Sequence, residues 1–237
     1  MSCGCAACAG EGLSRRGFLS GAAVTTAAAV AVGAAIDMAA PRVAYAQSTL
    51  TPDAALQALM DGNRRFTERK MTAFDEDLSI LKQNTVEKQE PFAAVLSCAD
   101  SRVPVEIAFD QSIGHLFVAR VAGNITTPEI TASLEYGAVV LGTKVIMVLG
   151  HGNCGAVKAT MEGKAVPGQI SALYAPIRPA VDAAPGNAEE ATKINAKNQA
   201  RILSQASPVL AGLIKDNKLK VVAAHYDLAN GRVSLLS

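Results

Sequence analysis

The chain has no tryptophan, and aromatic residues make up only 4% of its 237 residues. An excess of charge of one sign is also missing: 22 Lys and Arg stand against 21 Asp and Glu. Such balance gives no electrostatic footprint for nucleic acid or for an anionic lipid surface. Internal repeats and long charged blocks are absent, which excludes a repeat array and leaves the composition of an ordinary globular domain. The small-residue apolar run from Gly21 to Ile36 is rich in Ala and Gly. It falls short of the roughly 20 apolar residues that a membrane-spanning helix needs.

That run belongs to an N-terminal pattern with a different meaning. Ser14-Arg15-Arg16-Gly17-Phe18-Leu19 is a twin-arginine signature, the apolar run follows, and Ala44-Tyr45-Ala46 suits an A-x-A cleavage site. Residues 1–46 are therefore expected to be a cleaved signal peptide read by the twin-arginine (Tat) export machinery, with the mature protein periplasmic or otherwise exported. Losing Arg15, Arg16, Arg42, Glu11 and Asp37 leaves 19 basic and 19 acidic residues, so the mature chain is formally neutral. Residues 47–237 are enough for one compact domain with a sizeable core.

Cysteine becomes scarce once the signal is removed. Cys3, Cys5 and Cys8 lie within it, and only Cys98 and Cys154 remain. In an oxidising compartment two cysteines can simply form a disulfide. Twin-arginine export carries proteins that have already folded, so a metal can occupy both thiolates before any oxidant reaches them.

The surroundings of the two cysteines favour the metal. Cys98-Ala-Asp100-Ser101-Arg102 and His151-Gly-Asn-Cys154 together offer two Cys and one His, a set that suits Zn²⁺ and leaves a fourth tetrahedral position open. A structural zinc site fills all four positions, so three ligands point towards chemistry. Asp100 is placed to orient a hydroxide at the open position, and Arg102 to hold Asp100.

Thr51-Pro52 is a good helix start, and residues 47–90 read as an N-terminal helical arm with a polar, irregular stretch from Met71 to Glu90. From residue 91 the chain alternates in an α/β manner. Strands are expected at Phe92 to Leu96, Leu116 to Val121 and Lys144 to Leu149, the last uniformly apolar as a strand buried on both faces should be. A short helical turn at Val103 to Phe109 and a helix over Pro128 to Leu141 lie between them. Further helices are expected over Ile170 to Ala184, over Glu189 to Ala206 and from Ser207-Pro208. Leu219 to Tyr226 and Val233 to Leu236 flank Asn230-Gly231, a hairpin signal. This order puts Cys98 and His151 beyond the carboxyl ends of two strands, where ligand sites of open α/β sheets gather. Cys154 opens the next helix, whose dipole favours a thiolate.

These motifs resemble those of the β-class carbonic anhydrases. The C-x-D-S-R and H-x-x-C motifs are joined by Gly114 to Asn124 (GHLFVARVAGN), Ser133 to Gly137 (SLEYG) and Tyr226-Asp227-Leu228 with Gly231-Arg232-Val233. The resemblance spans about Pro52 to Leu236. It implies a mostly parallel central sheet flanked by helices, with residues 91–237 as the zinc-binding α/β domain. It further implies Cys98, His151 and Cys154 as zinc ligands, and reversible CO₂ hydration by a zinc-bound hydroxide. Asp100 and Arg102 would be the catalytic dyad, with Asp100 also able to replace water on the metal. Gln89, Phe117 and Tyr136 match the family's pocket for CO₂ or bicarbonate, and a homodimer or higher homo-oligomer is implied. Where one branch of the family has Trp and Gly near the first ligand, this chain has Val95 and Ser97, which speaks against that branch's non-catalytic bicarbonate site. The rival readings are a carbonyl sulfide or carbon disulfide hydrolase on the same scaffold and a non-catalytic zinc-binding module.

Overall fold

The computed structural model describes residues 48–73 and 85–237. The export signal expected over residues 1–46 lies outside them. Five strands form one sheet in the order β2-β1-β3-β4-β5. They are β1 (Ala93–Ser97), β2 (Leu116–Arg120), β3 (Val145–His151), β4 (Lys220–Tyr226) and β5 (Val233–Leu236). The first four are parallel to their neighbours, and β5 returns antiparallel to β4. β1 and β3 lie inside the sheet and are buried at every position, which explains why Ala93 to Leu96 and Val145 to Leu149 are apolar throughout.

The pleat divides those side chains between two cores. Val95, Met147 and Leu149 pack with Ala55 and Leu59 on one face. Leu96, Ile146 and Val148 pack with Leu134, Ala196, Leu203 and Leu210 on the other. The helices that cover these faces are α1 (Pro52–Thr67), α2 (Val105–Ala108), α3 (Pro128–Val139), α4 (Gly155–Glu162), α5 (Tyr174–Ala183), α6 (Ala188–Ala206) and α7 (Pro208–Lys215). Side-chain caps start four of them: Thr51 on α1, Thr127 on α3, Asn187 on α6 and Ser207 on α7. Each such cap contributes about 1 kcal/mol.

The segment expected as an arm begins with α1, which lies directly on the sheet. Gly62 lets α1 also close onto the end of α2, because a Cβ there would sit 1.8 Å from the Phe109 carbonyl oxygen. Next to it, buried Asn63 donates to the carbonyls of Ala108 and Gly231, each at 2.9 Å, and accepts from Val233 N at 2.8 Å. One side chain thus ties α1 to both α2 and the terminal strand pair. Buried Asp110 accepts from Arg65 Nε at 2.5 Å and from the backbone N–H groups of Thr72 and Ala73.

Two local expectations are modified. The Asn230-Gly231 hairpin is a longer loop, closed by Asp227 N donating to Arg232 O at 2.9 Å and Gly231 N to Asp227 O at 2.8 Å. The helix expected from Ile170 starts as a 3-10 turn, Ile170–Leu173, before α5, whose Pro179 lacks an N–H to donate.

Candidate metal centre

β1 and β3 are adjacent and in register, with Ser97 opposite Leu149. The chain therefore leaves β1 at Cys98 close to where β3 ends in His151, and Cys154 follows as the N-cap of α4. One ligand atom from each of Cys98, His151 and Cys154 lies within 4.8 Å of the others, and all three residues are buried. A tetrahedral zinc with Zn–S near 2.3 Å would hold two sulfurs about 3.8 Å apart, so the spacing suits the ion.

The imidazole is prepared for a metal. His151 Nδ1 lies 2.9 Å from the Gly152 carbonyl oxygen, which holds a proton on Nδ1 and makes Nε2 the nitrogen that a metal would take. That Nε2 is buried without a hydrogen-bond partner, an arrangement that costs stability unless something binds it. Both thiols are free, so the alternative of a disulfide is not realised. Donor type, spacing and the orphaned nitrogen all fit Zn²⁺.

The three groups share their charge. The neighbouring Cys154 and His151 side chains and the Gly123 N–H hold the Cys98 thiol well below its usual range, against the opposing effect of burial. Cys154 is pushed up, because it hydrogen-bonds to Cys98, is buried and would place a second negative charge beside the first. The N–H groups of Val157 and Ala156 at the start of α4 favour its thiolate but do not reverse this. His151 is raised: burial disfavours its charge, but the nearby negative charge of Cys98, with the Gly152 carbonyl and Asp100, outweighs burial. A divalent cation removes the conflict by neutralising both sulfurs.

Asp100 and Arg102 stand beside this triad as expected. Arg102 donates from its backbone N and from Nε to Asp100 Oδ1, both at 2.9 Å, and from Nη2 to Oδ2 at 2.7 Å. Those bonds hold the Asp100 carboxyl well below the ordinary carboxylate range. Arg102 Nη2 also reaches the Asn153 carbonyl at 3.2 Å, which links the dyad to the loop between His151 and Cys154. Asp100 Oδ2 lies 3.8 Å from His151 Nε2, so the carboxylate faces the metal position.

Arg120 lies within the Gly114 to Asn124 motif, but the motif by itself assigns it no role. It donates to the carbonyl oxygens of Cys98 at 2.9 Å and Asp100 at 2.6 Å, pinning the backbone that carries both. The signal for it is pairing register: Arg120 stands opposite Ser97, one residue before the first ligand.

The expected pocket residues are elsewhere in the chain's own fold. Gln89 lines a surface groove with Thr85, Val86, Glu87, Lys88 and Leu141, before β1 begins. Phe117 is opposite Ala94, near the amino end of β1. Four residues at about 3.3 Å each separate that level from Cys98, roughly 13 Å along the sheet. Tyr136 is 42% exposed, with its ring centroid 6.4 Å from that of Phe117. Phe117 and Tyr136 are brought together, but a single chain brings neither them nor Gln89 to the metal ligands.

Sheet order, strand-end ligands and an arginine-held carboxylate define an α/β metalloenzyme. Residues 93–233 match the family model described as carbonic anhydrase. A carbonic anhydrase of Mycolicibacterium smegmatis is 34% identical over 194 residues, covering 78% of this chain and 94% of that protein. One from Pseudomonas aeruginosa is 30% identical over 197 residues, covering 76% and 87%. Among solved structures, the Coccomyxa β-carbonic anhydrase in complex with acetazolamide superposes with a TM-score of 0.60 at 27% identity, over 76% of this chain and 86% of that one. The chain belongs to the β-class carbonic anhydrases.

Proposed function

We propose that this chain catalyses the reversible hydration of CO₂ to bicarbonate and a proton, with zinc held by Cys98, His151 and Cys154. The observation that carries this is the orphaned, buried His151 Nε2 facing two thiols, with an arginine-held carboxylate 3.8 Å away. Zinc held there would lower the pKa of a coordinated water from about 15.7 to about 7 and supply hydroxide at neutral pH. Asp100 would accept a hydrogen bond from the attacking oxygen and aim its lone pair at the CO₂ carbon. Arg102 keeps that carboxylate ionised and aligned through its three bonds. Arg120 fixes the two carbonyls that set the spacing of Cys98 and Asp100. Buried apolar neighbours, Ile125, Val157 and Ile177, keep bulk water from the ligand atoms.

The reading extends to the pocket and the assembly. Gln89, Phe117 and Tyr136 serve the substrate from a second copy of the chain, since one chain alone holds them away from its own metal centre. A β-carbonic anhydrase of Sordaria macrospora is described as tetrameric, which supports a homo-oligomer here. The remaining parts are a signal over residues 1–46 cleaved during twin-arginine export, a lead-in over 47–90 and the metal domain over 91–237. The test is CO₂ hydration by purified mature protein with zinc quantified in the same sample, and with carbonyl sulfide and carbon disulfide assayed beside it. CO₂ hydration that follows zinc content is the expected result. Zinc-loaded protein inert towards CO₂ but active on either sulfur gas would replace the reading.

A further inference from the structure

Behind the metal centre, α6 carries two amide side chains that the chemistry itself does not touch. Asn195 and Gln199 lie one turn apart and are fully buried. A buried amide without partners is costly, and these two are well supplied. Asn195 Nδ2 donates to the Gly123 carbonyl at 2.8 Å. Gln199 Nε2 donates to Asn195 Oδ1 and to the Pro176 carbonyl, each at 3.2 Å. Gln199 Oε1 accepts from Thr126 N at 2.9 Å and Thr126 Oγ1 at 2.7 Å. The pair grips the turn after β2 at two points, Gly123 and Thr126.

That turn needs a grip. Gly123 and Asn124 are successive left-handed residues, with φ of 75° and 42°, a conformation that single residues visit but runs of residues do not favour. On its other side the turn touches a ligand: the Gly123 N–H donates to Cys98 Sγ at 3.2 Å. The Gly123 N–H and C=O flank the same Cα, so fixing the carbonyl restrains where the N–H points. The space is also closed to adjustment, since a Cβ at Gly123 would lie 2.6 Å from Ile177 Cδ1.

We propose that Asn195 and Gln199 are positioning residues for the metal centre, aiming the Gly123 N–H at Cys98 Sγ and so setting how strongly that sulfur donates to the metal. The proposal rests on Cys98 being a zinc ligand. An N–H···S bond draws electron density from the sulfur and holds it in place, the two ways in which outer partners tune a metal ligand.

Asn195→Leu and Gln199→Met keep side-chain bulk and remove the grip. Two readouts are taken on folded protein: zinc affinity by chelator competition, and the thiolate-to-metal charge-transfer bands of the cobalt(II)-substituted form. Zinc affinity should fall by roughly 10–100-fold, the usual effect of losing an outer-shell partner. The bands should move to lower energy, because a sulfur without its N–H donor gives up an electron more readily. Leu203→Ala weakens the packing of α6 without touching the turn, and should lower stability while leaving affinity and bands unchanged. Native values in both amide variants, or an equal band shift in Leu203→Ala, would overturn the proposal. Should the amide variants not fold, Thr126→Val decides, as it removes one bond of the grip: a smaller shift in the same direction supports it and no shift overturns it. Failure of the zinc reading looks different, since Cys98→Ser would then bind as much zinc as the native chain.

Discussion

Replacing Arg102 asks whether Asp100 works because it is aimed or merely because it is charged. Arg102→Ala deletes the bonds from Nε and Nη2 to Asp100, along with the bond to the Asn153 carbonyl, and leaves only the backbone N–H on Oδ1. A rate loss of roughly 10²-fold corresponds to about 2.7 kcal/mol of barrier, the scale of losing one positioned catalytic group. Asp100→Ala should therefore keep near-normal zinc and lose roughly 10²-fold or more, the scale for one positioned catalytic group. Arg102→Ala should lose at least as much, because the freed carboxylate starts 3.8 Å from the histidine ligand and can swing onto the open metal position. Arg102→Lys restores the charge without the planar fork and should recover only part of the rate.

The pH dependence separates aim from protonation. Arg102 holds the Asp100 carboxyl well below the ordinary carboxylate range. Losing Arg102 lets it rise towards an ordinary value of about 3.9, still below the assay window. Between about pH 6.5 and 9 the carboxylate is thus ionised in both proteins, and any loss there reports orientation. If the freed Asp100 competes for the metal, the Arg102→Ala rate should recover as rising pH supplies more hydroxide to displace it. The measurement is stopped-flow CO₂ hydration with zinc content across that window for the native protein and the three variants. Full activity in Asp100→Ala would leave the metal centre standing and discard the dyad.

Cys98→Ser, His151→Ala and Cys154→Ser should each lose most of their zinc by elemental analysis, since each removes one of three protein ligands. Zinc affinity of the native chain should fall as pH falls: Cys154 and His151 hold their protons more tightly than usual in the metal-free site. The metal must displace those protons, and competition titrations from pH 8 to 6 should show a loss of roughly 10²-fold or more. Asn63→Ala leaves the Ala108 and Gly231 carbonyls and the Val233 N–H without their partner. Urea unfolding should show a cost of at least about 3 kcal/mol, at about 1 kcal/mol or more for each buried group left unpaired. Replacing Arg15 and Arg16 together by Lys should leave full-length precursor in the cytoplasm, and efficient export of that variant would point to another route.

What the sequence disclosed, and what it hid, follows from the range of each signal. β3 was legible because a strand buried on both faces must be apolar throughout, and Val145 to Leu149 is. The candidate metal site was legible because Cys and His at such spacings have few other uses, and the fold brings Cys98, His151 and Cys154 together. Arg120, Asn195 and Gln199 were not, since each acts through a pairing or a packing that joins distant parts of the chain. Arg120 becomes a site residue only because β2 pairs with β1 so that it stands opposite Ser97. Asn195 and Gln199 sit on a helical face otherwise lined by Ala191, Thr192, Ala196, Ala200 and Leu203. Two amides on so apolar a face are the local trace of a buried partner, although that trace does not say which loop they hold.

The two halves of the proposed site also have different origins. The metal centre is closed within one chain: β1 and β3 are neighbours, α4 begins four residues after β3 ends, and Arg102 and Arg120 lock the connecting backbone. Zinc binding should therefore be a property of the folded monomer. Gln89, Phe117 and Tyr136 lie towards the opposite end of the strands, with Tyr136 part-exposed at the surface. On the reading proposed here they meet a metal only across an interface, so turnover belongs to the assembly. That separation gives substitutions at Tyr136 a distinct signature: a loss of hydration rate with zinc content and monomer stability intact. Substitutions at Cys98 or His151 would instead remove metal, stability and rate together.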